Sequence, residues 1–463
     1  MSHDSTVSHD STVTGEELTL DVGAVAHGGH CVARTPDGQV VFVRHALPGE
    51  RVVAEVTEVH RGYLRADTTS VLVASADRVT PPCPFAGRCG GCDFQHVTPA
   101  AQRELKAAVV REQLVRLAGL PVVEVEALGV RVEELPGGPL GWRTRVRYTV
   151  DAAGRAGLLA HRSHEVIPVD RCRIAHPALQ ELPVTGRNWP DDDHVSVVAS
   201  TAGDVAVLGD RSGLLSGPPT IRERALGRGW RLDVDGFWQV HPGAPDALCA
   251  AVLELLDPKP GERAWDLYGG AGLFAAALAG AVGPEGGRSG SAHAEPEAAH
   301  IEPGAAHIEP GAAHAGGGGA GMAGGRSGSA HAGRGGASMA GQVTVVESDR
   351  TSAEAARVNL ADLPGVQVVR STVERFRPGY PPDLVVLDPP RAGAGAAVVR
   401  TIVRAAPRAV AYVACDPAAF ARDVATFRAA GWRLTALRAF DAFPMTHHVE
   451  CVGLLVPTMV EMQ

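Results

Sequence analysis

The chain has 463 residues, which exceeds what one ordinary hydrophobic core holds and predicts two or three domains. Its hydrophobic content of 45% and charged content of 21% are typical of soluble globular proteins, and no apolar run approaches the ~18 residues that would span a bilayer. A formal net charge of -9 gives nucleic-acid binding no support, because phosphates attract clustered lysine and arginine, although a local basic face can lie on an acidic protein.

The N-terminal segment carries two copies of "SHDSTV" and has neither a basic nor an apolar stretch. We therefore expect residues 1–14 to be a disordered tail and the protein to be cytoplasmic, since this segment is no signal peptide. Residues 15–77 contain short alternating runs separated by turn sequences such as "PDG" and "PGE", which predict a small OB-like β-barrel. An SH3-like barrel without a binding role fits the same pattern.

Residues 78–235 are predicted to form a small mixed central domain, with a helix over about 98–119 that could pack on the domain that follows. Before that helix, "PPCPFAGRCGGCDFQ" spaces Cys83, Cys89 and Cys92 as thiolate ligands of a metal. Spacing alone leaves several candidates for a fourth ligand, namely Cys31, Cys172, Cys249 and Cys451. An all-thiolate set suits either zinc or a 4Fe–4S cluster.

Two stretches could contact RNA. In "WRTRVRYTV", Trp142 and Tyr148 flank a strand that carries three arginines on one face, Arg143, Arg145 and Arg147. This strand is either a phosphate-contacting stripe with stacking rings or a solvated face. The barrel carries Arg61, Tyr63 and Arg65, but it is not basic overall, so its composition alone does not indicate RNA binding.

Strands and helices alternate over residues 236–463, which predicts a doubly wound, Rossmann-like α/β domain whose ligands bind beyond the carboxyl ends of the strands. The predicted strands are "ERAWDLY", "QVTVVESD", "PDLVVLDPP", "AVAYVACDP" and "HHVECVGLLVP". Residues 283–341 repeat "GGRSGSAHA" and "AAHIEPG" in a matrix of glycine and alanine. They are predicted to be a flexible low-complexity insertion, and metal binding by their histidines is the weaker interpretation.

A cofactor site is indicated by "AWDLYGGAGLF", a strand followed by a glycine-rich turn and a helix start. The next strand ends at Glu347, where a carboxylate can accept the two hydroxyls of a ribose, and a further strand ends at Asp388. The turn lacks the full dinucleotide and P-loop patterns, which favours an adenosyl ligand, above all S-adenosylmethionine. The alternative is that both carboxylates only cap helices.

Cys415 ends the fourth predicted strand, so its thiol should open into the same crevice. Beside a methyl donor, a nucleophilic thiol serves C5 methylation of a pyrimidine, because its addition to C6 makes C5 nucleophilic. Glu450 is the candidate base for the C5 proton, and His447 and His448 are its rivals. A buried structural cysteine and a surface glutamate are the alternatives.

These stretches, together with "GFWQVHPGAPDAL", "VVLDPPRAG", "AYVACDPAAFARD" and "DAFPMTHHVE", resemble the RNA uracil-5-methyltransferases, the TrmA/RumA-like group. The first half is similar to the longer members, which carry a TRAM barrel and a four-cysteine iron–sulfur site. The resemblance implies that Cys415 is the nucleophile and Glu450 the proton acceptor. It implies S-adenosylmethionine contacts by four residues: Gln239, Tyr268, Glu347 and Asp388.

The same resemblance selects Cys172 as the fourth cluster ligand and favours a 4Fe–4S cluster over zinc. It also implies that the barrel binds RNA. The sequence departs from the family pattern at three positions near the expected site: Leu273, His241 and Asp416. The first puts one cofactor hydrogen bond in doubt.

We therefore expect a monomeric enzyme that forms 5-methyluridine in structured RNA, first of all 23S ribosomal RNA, through a covalent adduct between the cysteine and uracil C6. The target uridine must leave its stack to reach the thiol. The same reaction on the T-loop of tRNA is one alternative. A metal-stabilised RNA-binding protein without catalysis is another.

Overall fold

A computed structural model describes residues 13–283 and 341–458. The predicted tail 1–14 and insertion 283–341 lie outside the described residues, apart from their boundary positions. Within the described residues, the sheets succeed one another as a barrel, a mixed central sheet, a hairpin and a large α/β sheet. The multidomain architecture predicted from the sequence is thus confirmed. No helix in these two ranges is both long and apolar enough to cross a membrane.

The N-terminal barrel has strands Glu17–Asp21 (β1), Cys31–Arg34 (β2), Val40–Arg44 (β3), Arg51–Val59 (β4) and Tyr63–Val73 (β5). Their order in the sheet is β1-β4-β5-β3-β2. The chain after β1 lies against β2, because the Gly23 N–H donates to the Val32 carbonyl and the Val32 N–H donates to the Ala24 carbonyl. Alternate residues of β4 enter one apolar core, because successive side chains of a strand point to opposite faces. The alternating pattern therefore predicted this barrel correctly.

The central region combines short helices with antiparallel strands. Its elements are Pro99–Arg116 (α1), Val122–Ala127 (α2), Val132–Glu134 (β6), Arg145–Val150 (β7), Ala156–Leu159 (β8), Val166–Ile167 (β9), Pro177–Gln180 (α3), His194–Ala199 (β10), Val205–Gly209 (β11), Gly213–Ser216 (β12), Thr220–Ala225 (β13) and Arg228–Asp233 (β14). Strands β12-β11-β10-β7-β8-β9 form one sheet, and β13 and β14 form a separate hairpin.

Helix α1 packs on the C-terminal domain, although the rest of the central region separates the two along the chain. Its apolar face lies in the same core as Phe420 and Phe427. Its buried Lys106 donates to Asp441 Oδ1 at 2.5 Å and to the Phe443 carbonyl at 3.0 Å. Removing one partner of such a buried ion pair costs about 3–5 kcal/mol, because the other charge is left without compensation. The helix is therefore an integral part of the C-terminal core.

The C-terminal domain alternates helices with strands as the sequence predicts. Its elements are Ala244–Leu256 (α4), Arg263–Leu267 (β15), Leu273–Val282 (α5), Gln342–Glu347 (β16), Arg350–Asn359 (α6), Val366–Arg370 (β17), Leu384–Leu387 (β18), Gly395–Ala405 (α7), Ala409–Ala414 (β19), Pro417–Ala429 (α8), Trp432–Asp441 (β20) and Glu450–Pro457 (β21). The sheet order is β17-β16-β15-β18-β19-β21-β20-β6. Strands β17 and β20, and β6 from the central region, were not among the predicted strands.

The direction of the strands defines one functional edge. Strands β15, β16, β18 and β19 are parallel, so their carboxyl ends meet at the same edge of the sheet. Strand β21 is antiparallel to β19, and its register pairs Cys451 with Ala414. The first residue of β21, Glu450, therefore lies at the edge where the parallel strands end.

Candidate active site

Cys415 occupies the turn between β19 and α8. Every residue of β19 is buried, which fits a strand covered on both faces. The next residue, Asp416, caps the helix, since its side chain accepts the backbone N–H of Ala419 at 2.7 Å. This sharp change from strand to helix leaves Cys415 half-buried at the sheet edge.

The thiol of Cys415 lies in a negative electrostatic environment. Burial, Glu450 and Asp388 raise its pKa to about 12, and Arg391 opposes this shift. The thiolate is the nucleophilic form, so a raised thiol pKa means that the free protein holds little of it at neutral pH. A positive charge brought to this edge would favour the thiolate.

Glu450 is 2% exposed and lies next to this thiol. Burial and the nearby Asp388 raise its pKa well above the usual range, while Arg391 lowers it. A carboxyl with a raised pKa is the better proton acceptor once ionised, because it holds the proton more tightly. The site thus pairs a candidate nucleophile with a candidate base on adjacent strands.

The rival bases are engaged elsewhere. His447 Nδ1 lies 2.6 Å from Asp93 Oδ2, and its backbone N–H donates to the same oxygen at 3.2 Å. The ring of His448 lies 4.1 Å from that of His447. Burial, His447 and Arg391 lower the pKa of His448 to about 3, so this ring is neutral at ordinary pH.

The glycine-rich turn after β15 is tied to the end of β16. The N–H of Gly270 donates to Glu347 Oε2 at 2.9 Å, and that of Asp349 donates to Glu347 Oε1 at 2.7 Å. Tyr268 begins this turn with a φ of +61°, a left-handed conformation that non-glycine residues seldom adopt. Such strain persists where surrounding structure enforces it and is frequent at ligand sites. These contacts hold Glu347 beside the turn, with lone pairs left to accept hydroxyl groups.

Two further carboxyls lie at the same strand ends. Asp266 is fully buried, accepts the N–H of Ala275 at 2.9 Å, and has one oxygen without a partner among the described residues. Burial, Asp388 and Glu347 raise the pKa of Asp266 to about 8. Burial also raises the pKa of Asp388 to about 7. Raised pKa values mean that these buried carboxyls are partly protonated near neutral pH, and a cationic ligand at this edge would favour their ionised forms.

Gln239 lies in the loop between β14 and α4 and is buried. Thr144 fixes this loop, since its N–H and its hydroxyl both donate to the Val240 carbonyl, at 2.9 Å and 3.0 Å. His241, a departure from the family pattern, stacks on Trp142 with ring centres 5.9 Å apart. Burial lowers its pKa to about 4, so it is a neutral packing residue here. The other departure in this region, Leu273, starts α5 and is buried in the core.

Sequence reasoning missed Arg391, although the residue lies inside the quoted "VVLDPPRAG". It is the positive group whose field reaches both Cys415 and Glu450. Buried Asp423 fixes the loop that follows, accepting the Tyr412 hydroxyl at 2.6 Å and the Ala394 N–H at 2.7 Å. The signal for Arg391 was its position directly after a strand-end carboxylate.

The four cysteines of the predicted metal site line one cavity of about 50 Å³: Cys83, Cys89, Cys92 and Cys172. Burial is the main cause of the raised pKa values of Cys89, Cys92 and Cys172, and neighbouring thiols of the group raise them further. Among the described residues, no three potential ligands are arranged to hold a single metal ion. The remaining candidates from spacing lie in other places: Cys31 in the barrel core, Cys249 on α4 and Cys451 on β21.

The predicted stacking aromatics of the arginine strand are wrong. Trp142 and Tyr148 are buried, because they lie on the face opposite the arginines and enter protein cores. Arg145 is largely covered and pairs with Glu223 at 3.4 Å. Only Arg147 of this strand is fully exposed.

Comparison with known proteins gives these features a context. The TRAM domain family matches residues 12–69, and the family described as tRNA (Uracil-5-)-methyltransferase matches residues 341–458. An uncharacterized RNA methyltransferase of Streptomyces avermitilis is 43% identical to this protein, and the match includes 96% of this chain and 99% of the relative. The chain belongs to the RNA (uracil-5-)-methyltransferase family.

One further relative and one solved structure match this chain over nearly its whole length. An uncharacterized RNA methyltransferase of Corynebacterium efficiens is 34% identical over 95% of this chain and 94% of its own. The crystal structure of Pyrococcus abyssi tRNA (uracil-54, C5)-methyltransferase with S-adenosyl-L-homocysteine matches with a TM-score of 0.62. It covers 95% of this chain and all of the other at 19% identity, which establishes the shared fold.

Replacing Arg391 tests the electrostatics of this methyltransferase site. We expect alkylation of Cys415 by iodoacetamide to rise steadily from pH 7 to pH 10, because the thiol pKa is raised far above its ordinary value. Arg391→Gln should slow the reaction about threefold at fixed pH, equivalent to half a pKa unit, since it removes the charge that favours the thiolate.

Mass spectrometry of the Cys415 peptide measures the rate. Arg400→Gln, an exposed arginine on α7, is the matched control and should react at the parent rate. Equal rates for Arg391→Gln and the parent protein would contradict the assigned role.

Proposed function

We propose that this protein forms 5-methyluridine in RNA through a covalent adduct between Cys415 and uracil C6. The observation that carries the proposal is the antiparallel register of β21, which brings Glu450 beside Cys415 at the edge where the cofactor carboxylates gather. A nucleophile, a base and a cofactor site at one edge are what C5 methylation of uracil requires.

The chemistry assigns one role to each side chain. Cys415 loses its proton to solvent, and the thiolate adds to C6, which breaks the C5=C6 π bond and gives an enolate with a nucleophilic C5. S-adenosylmethionine, when bound, supplies the methyl group to C5 and leaves as S-adenosylhomocysteine. Ionised Glu450 then takes the C5 proton, the C5=C6 bond re-forms, and the thiolate leaves. Arg391 favours the thiolate both when it attacks C6 and when it leaves in the last step.

Four residues would hold the cofactor in this proposal: Gln239, Tyr268, Glu347 and Asp388. Glu347 suits the ribose hydroxyls, because its carboxylate is oriented by two backbone N–H groups and keeps free lone pairs. A sulfonium at this edge would favour the ionised forms of Asp266 and Asp388, whose pKa values are raised by burial. The S-adenosyl-L-homocysteine in the Pyrococcus abyssi enzyme of the same fold supports this ligand class.

We further propose that Cys83, Cys89, Cys92 and Cys172 hold a 4Fe–4S cluster. The four thiols share one cavity, which fits an all-cysteine ligand set. The same all-cysteine set could bind one zinc ion, which is the lesser alternative. A cluster with four protein ligands has no open iron and would be structural.

The cluster proposal predicts the metal content of anaerobically purified protein. We expect iron and sulfide in amounts near four per chain and a broad absorption in the visible range. Cys172→Ala should lose most of both, because it removes one ligand, whereas Cys31→Ala in the barrel core should retain them. Stoichiometric zinc without iron would exclude the cluster.

A cleft between the barrel and the central domain supports RNA as the partner. It has a volume of about 290 Å³ and is lined by His30, Arg44, Thr57, Glu58, Arg65, Asp67, His161 and Arg162. Arginines outnumber carboxylates in it, although Arg44 pairs with Asp67 at 3.0 Å and Arg65 Nε pairs with Glu58 Oε2 at 3.4 Å. His161 Nε2 has no hydrogen-bond partner among the described residues. Tyr63 lies beside the cleft, with its ring 4.4 Å from that of His60 and 5.5 Å from the Arg65 guanidinium. Basic groups interleaved with rings suit an RNA strand.

Arg65→Gln should weaken RNA binding several-fold with kcat unchanged. The slope of log Kd against the logarithm of the salt concentration should fall by about one, because one phosphate contact is lost. Filter binding between low and moderate salt measures this. Arg51→Gln, an exposed barrel arginine outside the cleft, should bind as the parent does, and an equal loss in both variants would speak against the cleft.

The covalent step predicts opposite behaviour for two variants. With RNA that contains 5-fluorouridine, the parent enzyme and cofactor should accumulate an adduct, because fluorine at C5 cannot be removed as a proton. Cys415→Ser should form none. Glu450→Gln should accumulate a methylated adduct even on ordinary RNA, because elimination needs loss of the C5 proton. Denaturing gels show the adducts, and an adduct with Cys415→Ser would refute the nucleophile.

We propose 23S ribosomal RNA as the target, on the family resemblance of a TRAM barrel joined to a four-cysteine site. The tRNA T-loop is the second candidate, favoured by the fold shared with the Pyrococcus abyssi tRNA enzyme. Mapping 5-methyluridine in total RNA from cells with and without the gene should show loss at a 23S position. Loss only in tRNA would assign the alternative.

A further inference from the structure

The barrel touches the loop that carries the candidate nucleophile. In the segment Ala26–His30, between β1 and β2, His27 Nε2 lies 3.1 Å from Asp416 Oδ2. Gly29 of this segment approaches the turn before β21 so closely that a Cβ there would lie 2.9 Å from the Cβ of His447. Both Gly28 and Gly29 have positive φ values, of +93° and +80°. The segment is thus shaped to meet the catalytic loops from the barrel side.

Asp416 is an unexpected residue next to a thiol that must ionise. Its capping bond to Ala419 needs only a side-chain oxygen, so an asparagine would cap α8 as well. Its charge adds to those of Glu450 and Asp388 in raising the pKa of Cys415, and among the groups facing the thiol only Arg391 acts in the opposite direction. The carboxylate therefore disfavours the thiolate unless another charge offsets it.

His27 lies within reach to provide that charge when its ring is protonated. Although burial opposes it, the bond from His27 and that from Ala419 hold the pKa of Asp416 below its usual value, with a smaller contribution from Arg422. The other group facing His27 is His447, whose ring centre is 6.5 Å away and whose Nδ1 is bound to Asp93. His27 is 38% exposed and Asp416 25%, so solvent reaches the pair and limits its strength.

We propose that His27 is a positioning residue whose imidazolium offsets the charge of Asp416, so that docking of the barrel maintains the reactivity of the Cys415 thiol. The role of the thiol in methyl transfer rests on the proposed function, but the electrostatic coupling between these side chains does not. A neutral residue at position 27 would leave the Asp416 charge acting on the thiol without compensation.

A double-mutant cycle tests the coupling in the full-length protein. Alkylation of Cys415 by iodoacetamide is measured against pH, with the labelled peptide quantified by mass spectrometry. His27→Gln keeps a hydrogen-bonding side chain and should slow alkylation about threefold at low salt, or half a pKa unit. Asp416→Asn should accelerate it, and adding His27→Gln to Asp416→Asn should change nothing further.

His27→Lys restores a cation and should recover most of the parent rate. The effect of His27→Gln should also shrink at 1 M salt, where the Debye length is only about 3 Å. An equal slowing by His27→Gln in the parent and in Asp416→Asn would show that His27 acts by docking alone and would overturn the proposal. No slowing in the parent would overturn it as well.

The two proposals can fail separately. If the cycle gives the expected coupling while Cys415→Ser still forms a 5-fluorouridine adduct, the charge balance stands and the assigned nucleophile falls. If Cys415→Ser abolishes the adduct while the cycle shows no coupling, the proposed function stands and the role of His27 falls.

Discussion

The site depends on one pairing, that of the antiparallel strand β21 between β19 and β20. A fully parallel sheet would place the start of its last strand at the amino edge, away from bound ligands. Because β21 runs the other way, its first residue meets the carboxyl end of β19, and Glu450 comes to lie beside Cys415. The same burial that secures this pairing raises the pKa values of both groups. The pairing of β21 therefore explains both the position of these two side chains and their raised pKa values.

The N-terminal half of the chain is built into this arrangement rather than attached to it. Strand β6 extends the large sheet beside β20, and α1 covers the same core. Asp93, directly after Cys92, holds the turn that precedes β21 by its bonds to His447. The N–H groups of Asp93 and Phe94 donate to the Met445 carbonyl of the same turn. The cysteine loop, helix α1 and the barrel thus all contact the two short loops where the chemistry is proposed to occur.

The sequence predicted those parts of the fold that local patterns determine. Apolar runs ending in Cys415 or Asp388 marked the buried parallel strands, and alternation marked the barrel. Trp142 and Tyr148 were misjudged because the interpretation combined residues from both faces of one strand, although a period of two separates them from the arginines. The contact of Asp93 with His447 joins residues 354 positions apart, and no local pattern carries such information. Arg391 was visible in its motif, but its importance follows only from the packing that places it near two buried acids.

The junction at Gly283 and Gly341 bears on how this protein can change. Gly341 packs directly against Val282, so the two ends of the intervening segment are in contact. They lie at the amino edge of the sheet, opposite the edge where Cys415 and Glu450 face each other. Since closing a longer loop costs only about 0.6 kcal/mol for each doubling of its length, growth or shrinkage there has little effect on folding. This position is therefore suitable for inserting a fluorescent reporter domain or for placing the new termini of a circular permutant.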